Sequence, residues 1–265
     1  MRLVFLGSPQ AAVPSLEALL AAGHDVALVV TQPDRRRGRG GELIPTPVKA
    51  VAQLHGIPAT ERVDDVVDVG AELGVVAAFG KLIKPHVLDA LAMVNVHFSL
   101  LPRWRGAAPV ERAILAGDAE TGVCLMRVDV GLDTGDVFAS ERVAIDDEIS
   151  AEELTSELAR RGARLLVDGL ARGLGEATPQ AGEPTYAEKI RPEELQLDLT
   201  RSAEELVRVT RLGRAWTTVN GRRLIVWKAR VNDGSFEPVE VQPEGKGRMA
   251  AADWARGVGD YRLGT

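Results

Sequence analysis

Two apolar runs separated by one amphipathic helix open the chain and restrict what it can become. Leu3–Leu6 is a short apolar run that ends in Gly7-Ser8-Pro9. Leu16, Leu19 and Leu20 follow at helical spacing up to Gly23, and "HDVALVVTQ" then has the character of a second buried strand. Strand, helix, strand in this order implies parallel pairing through a right-handed crossover. The alternation continues. "TPVKAVAQLHG" predicts a helix with Thr46 as its cap, Pro47 in its first turn and Gly56 at its stop. "GVVAAFG", "MVNVHFS", "TGVCLMRVD" and "DVFASERVAI" predict further strands, the last two joined by the turn "VGLDTGD". A long helix is expected from Ala151 to Arg172, with Ser150 as its cap. The expected fold is α/β: a Rossmann-like, doubly wound, mostly parallel sheet.

After Gly173 the composition changes. Residues 174–200 are rich in Gly, Pro and Glu and are expected to be a linker. Residues 201–265 contain one helical stretch, "SAEELVRVTRLG", and then the β-like pieces "AWTTVNG", "RRLIVWKARV" and "PVEVQ". Asn220-Gly221 predicts a hairpin turn between the first two. A small, mostly β second domain follows from this. Trp216, Trp227 and Trp254 are expected in its core, with stacking on nucleic acid as the other use of such residues.

Charge narrows the choice of partners. The formal net charge is −6, which argues against a protein that coats nucleic acid over its whole surface. The tail 201–265 holds 12 Lys+Arg against 8 Asp+Glu, so it is +4 on a body of −10. A basic tail on an acidic body can still grip a polyanion. No apolar run approaches the ~18 residues that a membrane span needs, and no targeting segment is expected ahead of "MRLVFLGSP". The single cysteine, Cys124, lies in an apolar run with no zinc-like spacing around it, which fits a buried thiol in a reducing cytoplasm. His24, His55 and His86 are isolated, and the acidic "IDDEISAEELTSE" is expected to be a solvated loop and helix start, so no metal site is expected. Gly7-Ser8-Pro9 is not a G-x-G-x-x-G turn, which argues against a nicotinamide cofactor.

The densest chemistry is "VNVHFSLLPRWRGAAP", Val94 to Pro109. Residues two apart on a strand point to one face, so Asn95 and His97 project together from a strand end. In open parallel sheets the crevice beyond the carboxyl ends of the strands is the usual ligand site. Asp133, in the Gly-flanked turn "VGLDTGD", is a third candidate: a carboxylate there can fix the tautomer of an imidazole. An amide that donates to an oxyanion, with a carboxylate-backed imidazole to manage a proton, suits acyl transfer through a tetrahedral intermediate without a covalent nucleophile. The N-x-H spacing alone also fits a structural histidine beside a turn asparagine. Trp104, beside this turn, is a candidate ligand contact.

"NVHFSLLPRWRGAAPV" followed by "GLDTGD" resembles the formyltransferases that use 10-formyltetrahydrofolate, whose pattern is N-x-H-x-S-L-L-P, then R-G, then D-x-G. Within them the chain is most similar to the branch that formylates methionyl-tRNA. The segments "MRLVFLGSPQAAVPSLEAL", "TQPDRRRGRGGELIPTPVK", "VVAAFGKLIKP" and "VQPEGKGRMAAADW" carry that narrower resemblance. It implies a catalytic domain over 1–173 and an OB-like domain over 201–265. The stretch between "RRLIVWKARV" and "VQPEGKGRM" is shorter than the family's, so a reduced OB-like barrel is expected.

The resemblance implies the following roles. Asn95, His97 and Asp133 form a catalytic trio. Ser99, Leu100, Leu101 and Pro102 line the folate site, and the turn Phe79, Gly80, Lys81, Leu82 offers it backbone hydrogen bonds. Arg35, Arg36, Arg37 and Arg39 form a loop that reaches tRNA, with Arg222 and Arg223 adding phosphate contacts from the tail. The implied partners are 10-formyltetrahydrofolate as co-substrate and initiator methionyl-tRNA as acceptor, for a monomer in the cytoplasm. Two other readings share parts of this pattern. A formyltransferase for a sugar-nucleotide or glycinamide-nucleotide amine would keep the trio without needing the arginine loop. A non-catalytic tRNA- or folate-binding protein would not need the trio.

Overall fold

The computed structural model describes residues 1–36 and 41–265. The elements in chain order are β1 (Arg2–Gly7), α1 (Val13–Ala21), β2 (Asp25–Val30), β3 (Arg35–Arg36), β4 (Leu43–Ile44), α2 (Pro47–Leu54), β5 (Ala59–Thr60), β6 (Leu73–Ala77), α3 (Pro85–Ala90), β7 (Met93–His97) and β8 (Arg105–Gly106). Then come α4 (Pro109–Ala116), β9 (Glu120–Arg127), β10 (Val137–Ala144), α5 (Ala151–Ala171), β11 (Tyr186–Ala187), α6 (Ala203–Thr210), β12 (Ala215–Val219), β13 (Arg222–Asn232), β14 (Ser235–Pro243), β15 (Met249–Ala250) and α7 (Ala251–Val258).

The chain divides into two compact units. The first comprises 1–109, 121–143 and 155–187; the second comprises 110–120, 144–154 and 188–265. The Gly/Pro-rich stretch 174–200 is therefore shared out between the two units.

In the first unit seven strands form one sheet in the order β10-β9-β7-β6-β1-β2-β5. Pairing is parallel from β7 through β5, and β9 runs antiparallel to β7. The doubly wound, mostly parallel sheet expected from the alternation is present. Continuous apolar runs are what strands covered on both faces require. Leu3, Val4, Phe5 and Leu6 accordingly have no exposure, and β6 is buried along its whole length. Burying such a side chain stabilises by roughly 1.5–3 kcal/mol relative to leaving it exposed. Thr46 caps α2 through the Lys49 N–H, and Ser150 and Glu153 form a reciprocal capping box at the start of α5.

The second unit holds an antiparallel sheet in the linear order β12-β13-β14-β15, with α6 and α7 packed on it. Asn220 and Gly221, both with positive φ, make the β12–β13 turn. The core includes Leu206, Val209, Leu224, Val226, Val241 and Trp254. Only Trp254 of the three tail tryptophans belongs to it. Trp216 and Trp227 correct the expectation: strand alternation sends Ala215, Thr217 and Val226 inward and these two rings to the other face. There Arg223 stacks on Trp216 at 4.3 Å and Arg248 on Trp227 at 3.3 Å.

Candidate active site

Strand β7 lies between parallel β6 and antiparallel β9, where the direction of the sheet switches. Val94 and Val96 are buried on one face, and Asn95 and His97 project from the other. Helix α5 covers the valine face closely. A Cβ on Gly162 would overlap Val96 Cγ1, so glycine there lets the helix seat against the strand that carries the two polar residues.

The β9–β10 turn brings Asp133 to the same place from thirty-odd residues away. Asn95 donates from Nδ2 to Asp133 Oδ1 at 3.4 Å, and His97 Nδ1 lies 3.7 Å from Oδ2. The second distance is that of an ion pair rather than a made hydrogen bond. Asp133 is held in the left-handed region, φ +49°, a cost of roughly 1–3 kcal/mol that its surroundings must sustain. The Gly106 N–H donates to Asp133 Oδ2 at 2.9 Å. Asn95, His97 and Asp133, separate in sequence, thus converge.

The other imidazole nitrogen is committed. His97 Nε2 lies 3.0 Å from the carbonyl oxygen of Trp104, itself at φ +61°. A carbonyl only accepts, so Nε2 carries the hydrogen and the neutral ring keeps its lone pair on Nδ1, facing Asp133. His97 is only 5% exposed, so this orientation is fixed by packing as well as by the bond.

The two segments expected to hold folate leave the sheet side by side, because Ala77 of β6 pairs with Val96 of β7. In the first, Phe79 is buried in the core, while Gly80, Lys81 and Leu82 are exposed. Ala78 and Gly80 have φ of +44° and +73°, a kinked turn on which the Leu82 side chain is exposed and the Phe79 carbonyl accepts from Gln32 Nε2 at 3.3 Å. In the second, Ser99 is buried and its hydroxyl donates to the Arg103 carbonyl at 2.6 Å, so it holds the turn. Leu100 and Leu101 line a cavity of about 390 Å³ with Cys124, Phe138 and Gln180. Burial pushes the Cys124 thiol up to about 11. Leu100 and Leu101 give this cavity an apolar wall, which suits the flat face of a heterocycle.

Of the residues expected to meet tRNA, Arg35 and Arg36 are exposed on the two-residue strand β3, paired with β4. Arg37 and Arg39 lie outside the described residues. Arg222 and Arg223 are exposed on β13 in the second unit. Three groups at the centre were not among the sequence candidates: the Trp104 carbonyl, the Gly106 N–H and the Gln180 amide. Two are backbone groups, which no residue type announces, and Gln180 sits in a stretch without periodicity.

Among the described residues, no group of three or more His, Cys, Asp or Glu side chains is placed to hold a metal ion. No described helix is long and apolar enough to cross a membrane.

Comparison with known proteins gives a consistent picture. Residues 1–170 match the family described as Formyl transferase. The chain is 41% identical to a methionyl-tRNA formyltransferase of Symbiobacterium thermophilum, over 100% of this chain and 94% of that protein. It is 43% identical to one from Clavibacter sepedonicus, over 97% of each. Among solved structures, the methionyl-tRNA formyltransferase from Clostridium thermocellum matches with a TM-score of 0.66, over 93% of this chain and 100% of that one, at 17% identity.

Proposed function

We propose a function from the premise that this chain belongs to the formyl transferase family: it transfers a formyl group from 10-formyltetrahydrofolate to the free α-amino group of methionyl-tRNA. The identity of 41–43% to enzymes of that name, across nearly the whole chain, supports the acceptor. The single observation that carries the chemistry is the convergence of Asn95 Nδ2 and His97 Nδ1 on the Asp133 carboxylate.

The folate supplies the formyl group. Asn95, with one amide hydrogen on Asp133, donates the other to the formyl oxygen as negative charge develops there. The amine attacks the formyl carbon, and His97, anchored through Nε2–H on Trp104, takes the proton it loses on Nδ1, with Asp133 facing the imidazolium so formed. As the bond from the formyl carbon to folate N10 breaks, the imidazolium returns that proton to N10 and tetrahydrofolate leaves. An oxyanion donor of this kind is worth roughly 10²–10³ in turnover, and positioned acid–base help about 10²–10⁴. The turn 79–82 and residues Ser99–Pro102 hold the folate, and a monomer in the cytoplasm meets the acceptor through the Arg35–Arg39 loop and the basic tail.

The test is formyl transfer from 10-formyltetrahydrofolate to charged initiator tRNA, with an amino-sugar nucleotide as control. Formyl-methionyl-tRNA without a formylated sugar is the expected result. A formylated sugar without a formylated tRNA overturns the acceptor.

A further inference from the structure

From Gly175 to Lys189 almost every residue is exposed; Ala177, Gln180, Thr185 and Ala187 alone turn inward. Each end of this segment is pinned to a turn of the candidate active site. Gln180 uses its whole amide. Its Nε2 donates to the carbonyls of Asp133 and Gly135, at 2.9 and 2.8 Å. Its Oε1 accepts from Arg105 Nε and Nη2, at 3.0 and 2.6 Å. The partners also fix the amide's orientation, since a flip would set donors against the guanidinium and oxygen against two carbonyls. Thr178 pairs with Val137 just beyond the Asp133 turn, by backbone bonds of 2.9 Å in both directions.

At the other end the Thr185 hydroxyl accepts from the Trp104 N–H at 2.9 Å, and the Thr185 carbonyl accepts from Arg105 N at 2.9 Å. The Ala187 carbonyl accepts from Ala107 and Ala108, at 2.8 and 3.1 Å. A Cβ on Gly106 would lie 2.8 Å from that carbonyl, and φ there is +123°, so only glycine allows this approach. The turn so held is the one whose Trp104 carbonyl takes the His97 hydrogen and whose Gly106 N–H binds Asp133.

We infer that residues 178–187 are a strap that positions the reacting groups, with Gln180 setting Asp133 and Thr185 setting the carbonyl that orients His97. The inference rests on the formyl-transfer reading above for its kinetic consequence, but not for its structural one. Gln180 holds the carbonyl of Asp133 itself, the residue in the left-handed conformation, and so fixes where its carboxylate points. Both are positioning residues, since neither touches Asn95, His97 or the Asp133 carboxylate.

The experiment uses the full chain with Gln180→Ala, Gln180→Glu, Thr185→Val and Thr185→Ser. Amide hydrogen exchange is followed at Gly106 and Trp104 without substrates, beside steady-state formyl transfer. Gln180→Glu keeps the acceptor for Arg105 and sets a carboxylate against two carbonyls. Gly106 exchange should therefore rise in both Gln180 variants, by about tenfold, because its acceptor has moved. Turnover should fall by about 10- to 100-fold. Thr185→Val should speed exchange at Trp104 and lower turnover, and Thr185→Ser, which keeps the hydroxyl, should restore both. Parent-like Gly106 exchange in Gln180→Glu overturns the strap, as does raised exchange with parent turnover. If the parent makes no formyl-methionyl-tRNA, the acceptor reading has failed, and the exchange measurements still decide whether the strap sets Asp133.

Discussion

His97 gives its Nε2–H to the Trp104 carbonyl at 3.0 Å, which leaves Nδ1 as the nitrogen that faces Asp133. The proton-handling atom is therefore chosen by a backbone carbonyl seven residues downstream, which has no titratable character of its own. In the neutral ring the hydrogen should be found on Nε2. Long-range ¹H–¹⁵N spectra of the free enzyme, taken where His97 is uncharged, check this. A ring protonated at Nδ1 would reverse the roles of its two nitrogens.

Asn95→Ala removes the oxyanion donor and should cost roughly 10²–10³ in turnover, with the fold retained. Asp133→Asn keeps the shape but loses the charge that faces the imidazolium, and should be similarly severe. The three groups act as one unit, so the double variant should fall well short of the product of the single losses. Single-turnover kinetics on all three proteins checks this, and multiplicative losses would mean that Asn95 and Asp133 act independently.

Gly162→Ala inverts a general rule. Alanine usually stabilises a helix interior by about 1 kcal/mol over glycine. Here the new methyl overlaps the stiff Val96 side chain of β7. Overpacking of this kind costs about 1–3 kcal/mol, so the variant should be less stable. Val96 lies between Asn95 and His97, so turnover should fall as well. Urea unfolding and kinetics decide; a gain in stability at full activity would show that α5 moves aside freely.

Acid should weaken the second unit at one identifiable pair. Arg112 lies 2.6 Å from Glu194 and, as the largest cause, holds its carboxyl well below the usual range, at about 2 instead of 4.5. A depressed carboxylate stabilises the fold above its unfolded value, and that contribution is lost as pH falls through the folded one. Unfolding free energy should thus drop between about pH 4.5 and pH 2. In Glu194→Gln the drop should be shallower, from a lower starting stability at neutral pH. Equal pH slopes in urea titrations of the two proteins would remove this pair from the acid response.

Arg222 and Arg223 contribute phosphate contacts in the proposed function, so their loss should flatten the salt dependence of tRNA binding. Each contact adds roughly −0.7 to −0.9 to the log–log slope. Arg223 also covers the Trp216 ring. Arg222→Gln with Arg223→Gln should bind more weakly with a smaller slope, and an unchanged slope in filter binding would place the tRNA elsewhere.

The sequence alone determined the sheet and much of the chemistry. Its apolar runs at strand length, alternating with helix-length amphipathic stretches, admit few arrangements other than a parallel sheet with covered faces. A period of two put Asn95 and His97 on one face, and the motifs around them named the family's reaction. The tertiary structure decided what periodicity does not encode. Which face of β12 and β13 is the inner one depends on where α6 and α7 pack, so Trp216 and Trp227 could not be told from core by composition. That Asp133 reaches β7, and that Trp104 and Gly106 meet His97 and Asp133 through backbone atoms, depends on turn dihedrals of positive φ. Gln180 was hidden for a similar reason. Its stretch has no repeat because its contacts are with two turns, and a side chain that satisfies four distant groups leaves no local pattern. Local sequence fixes local geometry, whereas the meeting of separate turns is set by the packing of the whole unit.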